Sequence, residues 1–432
     1  TGPAVGVPGT LRMLEVMHRR YGRLPWRVLF EPAIALAEDG FAVPPYLARS
    51  LSASARAGMK PPDWLADNMG TAATLGALVH NPALAKTLRA VAANGVDALY
   101  SGLAEQMVAA VQPGGHMTVE DLAGYQAVQR EPLCLALRHA TLCSFPPPSY
   151  GGVVVLEILG ILERTPALAP SFLGPRFLHR FIEAGRMAEA DRMDVVGDPD
   201  AGAVSVGALL TPARLMERAE RIKDGSVAAD QRRGRCDAND RPPEPSTSQV
   251  SVVDRWGDAL AMTTTININF GSWRTVSGFF LNDAMTNFSP ASPGDCSANA
   301  PAGGKRPETA MAPVIALHAD GSVLLVGGSA GAGEIVDYVA QAVIELIGGE
   351  APARALDDGH VSTARSSYAD SAGEAELEPG RAIAQLADRL ATMGHHVRTA
   401  PLPSGTAFIV ARPGGWQGAA DPRRDGSFAV SR

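Results

Sequence analysis

The sequence predicts a layered α/β fold on three observations. Apolar residues recur at helical spacing through the first half, the period changes abruptly to that of strands after a polar stretch, and strands are bracketed by helices in the second half. At 432 residues and 46% hydrophobic content, the chain can bury a large core in one multilayer body or in two to three smaller domains.

Between Leu11 and Phe41, residues Leu11, Leu14, Met17, Val28, Ile34 and Leu36 hold helical spacing, broken near Gly22 and Pro25. Helices are also expected over Pro82–Ala93 and Leu103–Val111, and over Phe177–Met193, where Phe177, Phe181, Ala184, Met187 and Ala188 share a stripe. From Lys223 to Ser246 the chain turns charged and rich in Gly, Pro and Ser, with almost nothing to bury, which predicts an exposed linker. Directly after it, Gln249–Asp254 and Ala259–Phe270 read as a hairpin turning at Arg255–Asp258. A second pair, Val314–His318 and Val323–Val326, turns at Ala319-Asp320-Gly321. After a glycine-rich turn, Ile335, Val336, Val339, Ala342, Val343 and Leu346 form the apolar face of a helix. A helix at Ala382–Met393 and a strand at Ala407–Ala411 complete the pattern.

Charge and composition exclude several function classes. A net charge of -7 with scattered Lys and Arg gives no electrostatic footprint for nucleic acid or an anionic membrane, so small or neutral partners are expected. No run of about 18 apolar residues predicts a membrane span, and Thr1 to Thr10 lack the basic and apolar regions of a signal peptide. Cys134, Cys143, Cys236 and Cys296 lie apart without CxxC spacing and read as plain structural cysteines. His395 and His396 have no acidic or cysteine companions at ligand spacing and read as a solvated loop; no metal or other cofactor is expected.

The tripeptide Ser246-Thr247-Ser248 sits where the linker meets the first strand. Alone, three adjacent hydroxyls are an ordinary polar start to a strand. If Arg255 and Asp258 close the turn, pairing down the hairpin brings Thr247 opposite Ile266, between Thr265 and Asn267. A one-residue bulge would bring Thr265 or Asn267 across instead. Each register surrounds Thr247 with hydroxyls and amides, and the run from Thr263 to Asn269 has more of them than strand packing needs.

These residues, with Ser251-Val252-Val253-Asp254, resemble the small-subunit start of γ-glutamyltranspeptidases. Matching segments span nearly the whole chain: Val5–Thr10, Tyr21–Pro25, Glu31–Ala33, Pro146–Ser149, Gly197–Pro199, Lys305–Pro307 and Asp421–Arg423. The resemblance implies the four-layer αββα sandwich of the N-terminal-nucleophile hydrolases, made as one precursor that cuts itself between Ser246 and Thr247. Residues 1–246 would then form a large subunit and residues 247–432 a small one. It also implies a periplasmic or extracellular location. In this reading Thr247 is the nucleophile, and its freed α-amine is the base that a weakly nucleophilic hydroxyl needs. The acyl-enzyme on Thr247, formed from a small-molecule amide or peptide, is released by water or by an amine. The resemblance assigns Thr265 beside the nucleophile, and the oxyanion donors to the N–H groups of Gly331 and Ala332. Alanine stands there for a family glycine, and those donors are expected to survive only if Ala332 avoids positive φ.

The substrate side departs from the family pattern. Asn267 is carried over as a substrate-binding residue, but Asn287 stands where glutamyl enzymes place a carboxylate that reads the substrate α-ammonium. Losing that charge-assisted bond costs about 1.5–3 kcal/mol. Ala284 replaces a glutamine, and the serine pair that touches the α-carboxylate becomes Thr309 and Ala310. The arginine that grips the same carboxylate would precede Thr1, so the expectation is that the numbered chain omits the N-terminus of a longer precursor. Hydrolysis is expected to outweigh transfer.

Three rivals remain at this stage. An acylase of the same mechanism could carry a non-glutamyl acyl group, as cephalosporin-acylase-like branches do. A non-catalytic relative could fold and bind a ligand or partner. Finally, Gly327-Gly328-Ser329-Ala330-Gly331 satisfies GxSxG between a strand and a helix, which would make Ser329 a nucleophile with Asp357 or Asp358 and His360 as partners.

Overall fold

The computed structural model describes residues 2–62, 65, 75–112, 114–166, 171–202, 205–224, 247–289, 298–363 and 374–430. The expected linker beyond Asp224, Ser246 with it, and both Cys236 and Cys296 lie outside the described residues. The chain mixes helix and sheet, with helices dominating its first half, as expected. The chain forms two compact units, Thr1–Arg130 with Thr265–Thr286, and Glu131–Thr264 with Asn287–Arg432.

The first unit is mainly helical. The expected helical stretch from Leu11 resolves into helices Thr10–Tyr21 and Glu31–Asp39, separated at Gly22 and by a short turn of 3₁₀ helix at Trp26–Phe30. Helix Pro82–Asn94 starts where the Asn81 side chain accepts the Leu84 N–H at 3.0 Å, satisfying an orphan donor of its first turn. Tyr100, Met107, Val111 and Leu122 close the core of this unit.

In the second unit, six antiparallel strands run in the order Gly415–Ala420, Ala407–Arg412, Val323–Gly328, Val314–Leu317, Thr141–Ser144 and Leu133–Ala136. Alternation decides what each face meets. Val314, Ala316, Leu325, Phe408 and Val410 point into one core with helices Gly151–Leu162, Pro175–Val195 and Ile335–Ile347. The opposite face receives the hairpin of strands Ser248–Val253 and Ala259–Thr264. There Ser251 Oγ donates to the Ala407 carbonyl at 2.8 Å, and the Gln249 carboxamide lies over Gly328, where a Cβ would come within 2.4 Å of it. One helical layer and two β layers are thus stacked in this unit.

Four expectations need correction. The hairpin turns through three residues, not two: Asp254 N–H donates to the Asp258 carbonyl at 3.0 Å, and Arg255, Trp256 and Gly257 form the loop, with Gly257 at φ +88. The Asp254 carboxylate accepts the Trp256 and Asp258 N–H groups, which favours this longer loop. The second strand ends at Thr264 rather than Phe270. Cys134 and Cys143 are not plain structural thiols but a disulfide between directly opposed strand positions. His395 is buried rather than solvated, and its Nε2 lies 2.7 Å from His179 Nδ1; His396, which follows it, is exposed at the start of strand His396–Thr399.

The C-terminal turns of helix Ile335–Ile347 carry a group that titrates above neutrality. Burial, reinforced by the carboxylates of Asp358 and Glu350, pushes Glu345 up to about 8. The folded state therefore holds a proton that the unfolded chain releases near its ordinary 4.5. The stabilisation this provides is complete below that value and is lost as pH rises through about 8. We expect Glu345→Gln to raise the thermal midpoint at pH 9 by a few degrees, on the order of 1–2 kcal/mol, with little change at pH 5. Equal shifts at both pH values, read by differential scanning fluorimetry, would remove this account.

Candidate active site

Thr247 stands at the head of strand Ser248–Val253 with φ +89, a conformation that a β-branched residue rarely adopts. The ladder beneath it pairs Ser248 with Thr264 and Val253 with Ala259. This register is one residue off the one that would set Thr247 against Ile266, as the three-residue loop requires.

Thr265 and Asn267 are brought together in the first unit. Thr265 Oγ1 accepts the Asn267 N–H at 2.8 Å, while Asn267 Nδ2 donates to Thr286 Oγ1 at 3.0 Å. Asn267 has φ +79. Asp283, not singled out from the sequence, accepts the Ile268 N–H at 3.2 Å beside it; burial lifts this carboxyl above its usual range against the hydrogen bonds that lower it.

The turn after strand Val323–Gly328 carries Gly331 at φ +139 and Ala332 at φ +58. A Cβ on Gly331 would sit 2.5 Å from the Tyr338 ring, so the turn needs glycine there on two counts. Ala332 does not avoid positive φ, so the condition set from the sequence for the oxyanion donors is not met. The turn is fixed on both sides, by Tyr338 beneath it and by the paired N–H and C=O groups of Ala330 and Gly405 at 3.1 and 3.2 Å, and the alanine follows the backbone the turn imposes. A left-handed alanine costs roughly 1 kcal/mol, so Ala332→Gly should gain about 0.5–1 kcal/mol in chemical denaturation. A loss of stability would contradict the left-handed backbone.

Ser329 is not placed as an elbow nucleophile. It is fully buried, its Oγ donates to the Ala330 carbonyl at 2.7 Å, and it is absent from the positive-φ residues. Its supposed partners are engaged elsewhere. Asp357 pairs with Arg381 at 3.0 Å, the Asp358 carboxylate lies 3.9 Å from Arg354, and His360 Nε2 lies 2.6 Å from Ser404 Oγ. Ser404 in turn donates to Asp421, beside which Arg423 bonds Glu378 at 2.8 Å. Burial pushes His360 down; it would raise Asp421, but His360 and Arg423 hold that carboxylate low. Ser404, Gly405 and the Asp421–Arg423 motif thus buttress the glycine turn, a role no periodicity announces.

Asn287, Thr309 and Ala310 are held by a second buried framework. The Thr309 carbonyl accepts the Tyr150 N–H at 2.9 Å and Ser149 Oγ at 3.0 Å, and a Cβ on Gly151 would strike the Ala310 carbonyl. Next to them Arg192 bonds Glu189 at 2.9 Å and Glu308 at 3.1 Å, and its guanidinium lies 3.7 Å over the Tyr150 ring. Burial raises both Glu189 and Glu308 against the pull of Arg192. Asp198 accepts the Arg306 N–H at 2.8 Å, tying the Gly197–Pro199 motif to Lys305–Pro307. Asn299 Nδ2 donates to the Asn287 carbonyl at 2.7 Å. Among the described residues no group of three His, Cys, Asp or Glu is placed to hold a metal, and no helix is long and apolar enough to cross a membrane.

The family model for Gamma-glutamyltranspeptidase matches residues 1–431. The glutathione hydrolase of Aspergillus flavus is 32% identical over 98% of this chain and 74% of its own length. The glutathione hydrolase proenzyme of Pseudomonas aeruginosa is 36% identical over 78% of this chain and 62% of itself, and that of Escherichia coli 35% over 80% and 61%. The matched stretch therefore spans under two thirds of both proenzymes. Among solved structures, cephalosporin acylase from Bacillus halodurans superposes with a TM-score of 0.84 at 25% identity, covering 99% of this chain and 78% of that one. With the Thr247 hairpin, the glycine turn and the Lys305–Pro307 motif all falling within the matched range, the chain belongs to the gamma-glutamyltranspeptidase family.

Proposed function

We propose that this chain is a self-processing threonine amidohydrolase and acyltransferase that cleaves γ-glutamyl or related acyl amides through an acyl-enzyme on Thr247, with hydrolysis outweighing transfer. The observation that carries this is the backbone at Thr247, φ +89 immediately before strand Ser248–Val253. Such a residue stores about 1–3 kcal/mol. Breaking the Ser246–Thr247 bond abolishes that torsion, so cleavage releases the strain and frees the α-amine that activates the hydroxyl. Residues 1–246 and 247–432 become the two subunits of one precursor, in keeping with the proenzyme names of the Pseudomonas and Escherichia relatives.

Gly331 and Ala332 supply the N–H groups for the oxyanion. In this reading the condition that Ala332 avoid positive φ is replaced by its opposite: at φ +58 the alanine follows the backbone a glycine would take there, which supports both amides keeping the direction such a turn gives them. Thr265 orients Asn267 in the first unit, and in the second unit Asn287, Thr309 and Ala310 receive the acyl group. The overall arrangement is a four-layer αββα sandwich, three layers of which have their counterpart in the stacked helices, sheet and hairpin of the second unit. A periplasmic or extracellular site of action fits the Cys134–Cys143 disulfide, since such bonds persist in oxidising compartments.

A second reading keeps the mechanism and changes the acyl group to a non-glutamyl one. It is favoured by the uncharged Asn287 and by the cephalosporin acylase likeness. N-terminal sequencing of the smaller fragment, together with release of p-nitroaniline from γ-glutamyl-p-nitroanilide and glutaryl-p-nitroanilide, tests the proposal. A fragment starting at Thr247 is expected. Full activity in material whose Ser246–Thr247 bond is intact would overturn it.

A further inference from the structure

The walls that carry Asn287 and Thr309 come from separate segments of chain, and one buried side chain joins them. Asn299 is 2% exposed. Its Nδ2 donates to the Asn287 carbonyl at 2.7 Å, its Oδ1 accepts the Glu308 N–H at 3.0 Å, and its own carbonyl accepts the Ser289 N–H at 3.2 Å. Each end of one rigid carboxamide thus holds the backbone of, or next to, a residue assigned to the acyl group. The Lys305 ammonium fixes the loop carrying Asn299 by donating to the Ala298 and Ala300 carbonyls, both at 2.7 Å. On the far side, the Glu308 carboxylate is anchored by Arg192 at 3.1 Å. The backbones at Asn287 and next to Thr309 are therefore tied together through Asn299, Lys305 and Arg192, none of which is among the residues assigned to the acyl group.

We propose that Asn299 is a positioning residue for acyl selectivity: its carboxamide fixes the separation of Asn287 and Thr309, and with it the size and polarity of acyl group accepted. This rests on the acyl-enzyme reading above. Asparagine is the residue type the position needs, because the span calls for one donor and one acceptor at opposite ends of a short planar group. Aspartate keeps the acceptor for the Glu308 N–H but turns an oxygen toward the Asn287 carbonyl, while alanine removes both bonds. A site left loose by about 1 Å loses discrimination before it loses its fold.

The test measures kcat and KM of the wild type, Asn299→Asp and Asn299→Ala with γ-glutamyl-p-nitroanilide and with glutaryl-p-nitroanilide, which lacks the ammonium group. Self-cleavage and melting temperature serve as controls for folding. The expected result is a ratio of kcat/KM between the two donors that moves toward one by about tenfold in both variants, carried by KM. Asn299→Asp should move it even where its melting temperature matches the wild type. Unchanged ratios in cleaved, folded variants, or a uniform fall in kcat for both donors, would overturn the inference alone. A wild type that turns over neither donor would remove the acyl-enzyme reading and this inference with it.

Discussion

Thr247→Ala is expected to yield one uncut polypeptide with amide hydrolysis reduced by at least about 10³–10⁴-fold. The substitution removes the hydroxyl that both cuts the chain and carries the acyl group, so the two losses appear together. Thr247→Ser keeps an oxygen at the same place and should cleave and turn over more slowly, without the methyl group that makes φ +89 unfavourable for a β-branched residue. Ser329→Ala discriminates the remaining serine chemistry. Its Oγ is buried against the Ala330 carbonyl and does not meet His360, so the variant should retain wild-type cleavage and turnover. Electrophoresis under denaturing conditions and p-nitroaniline release read all three variants in one experiment. An active, uncut Thr247→Ala protein would end the N-terminal-nucleophile reading, and inactivation by Ser329→Ala in a correctly cut protein would revive its rival.

How much of this was legible beforehand depended on whether a feature is local. Helix Ile335–Ile347 could be read because its apolar positions fall on one side, whereas helix Gly151–Leu162 could not. The latter is buried almost all round, and a uniformly apolar run carries no period to read. The hairpin was recognisable from its strand period, yet its register rests on whether the loop has two residues or three. That choice is made by Gly257 and the Asp254 carboxylate, whose hydrogen bonds are not encoded in alternation. The disulfide became visible only when Leu133–Ala136 and Thr141–Ser144 were seen to pair. His395 reads as solvent-facing until His179, 216 residues away, is placed against it. The same limit applies around the candidate site. Thr247, Gly331 and Thr309 could be chosen by motif, while Asn299 and Ser404 owe their roles to contacts between distant segments, and Ala332 took a backbone that its residue type disfavours.

Gly331→Ala should lower kcat by about 10²–10³-fold, the usual cost of removing one preorganised oxyanion donor. Two independent effects act at this position. A Cβ would lie 2.5 Å from Tyr338, and φ +139 is nearly closed to any residue with a side chain, so the peptide must rotate and carry its N–H with it. Because the donor acts on charge that develops only as the tetrahedral centre forms, the loss should fall on acylation in single-turnover measurements, with KM changed far less. Gly321→Ala is the matched control. Gly321 also has positive φ, +85, but no atom lies within 4 Å of the added Cβ, and it belongs to the turn at the opposite end of strand Val323–Gly328. It should cost about 1 kcal/mol of stability and leave kcat unchanged. If both substitutions lower kcat alike, the effect at Gly331 is general backbone strain and the oxyanion donors must be sought elsewhere. If Gly331→Ala alone loses acylation while remaining cut at Thr247, the amides of the glycine turn are what the transition state requires.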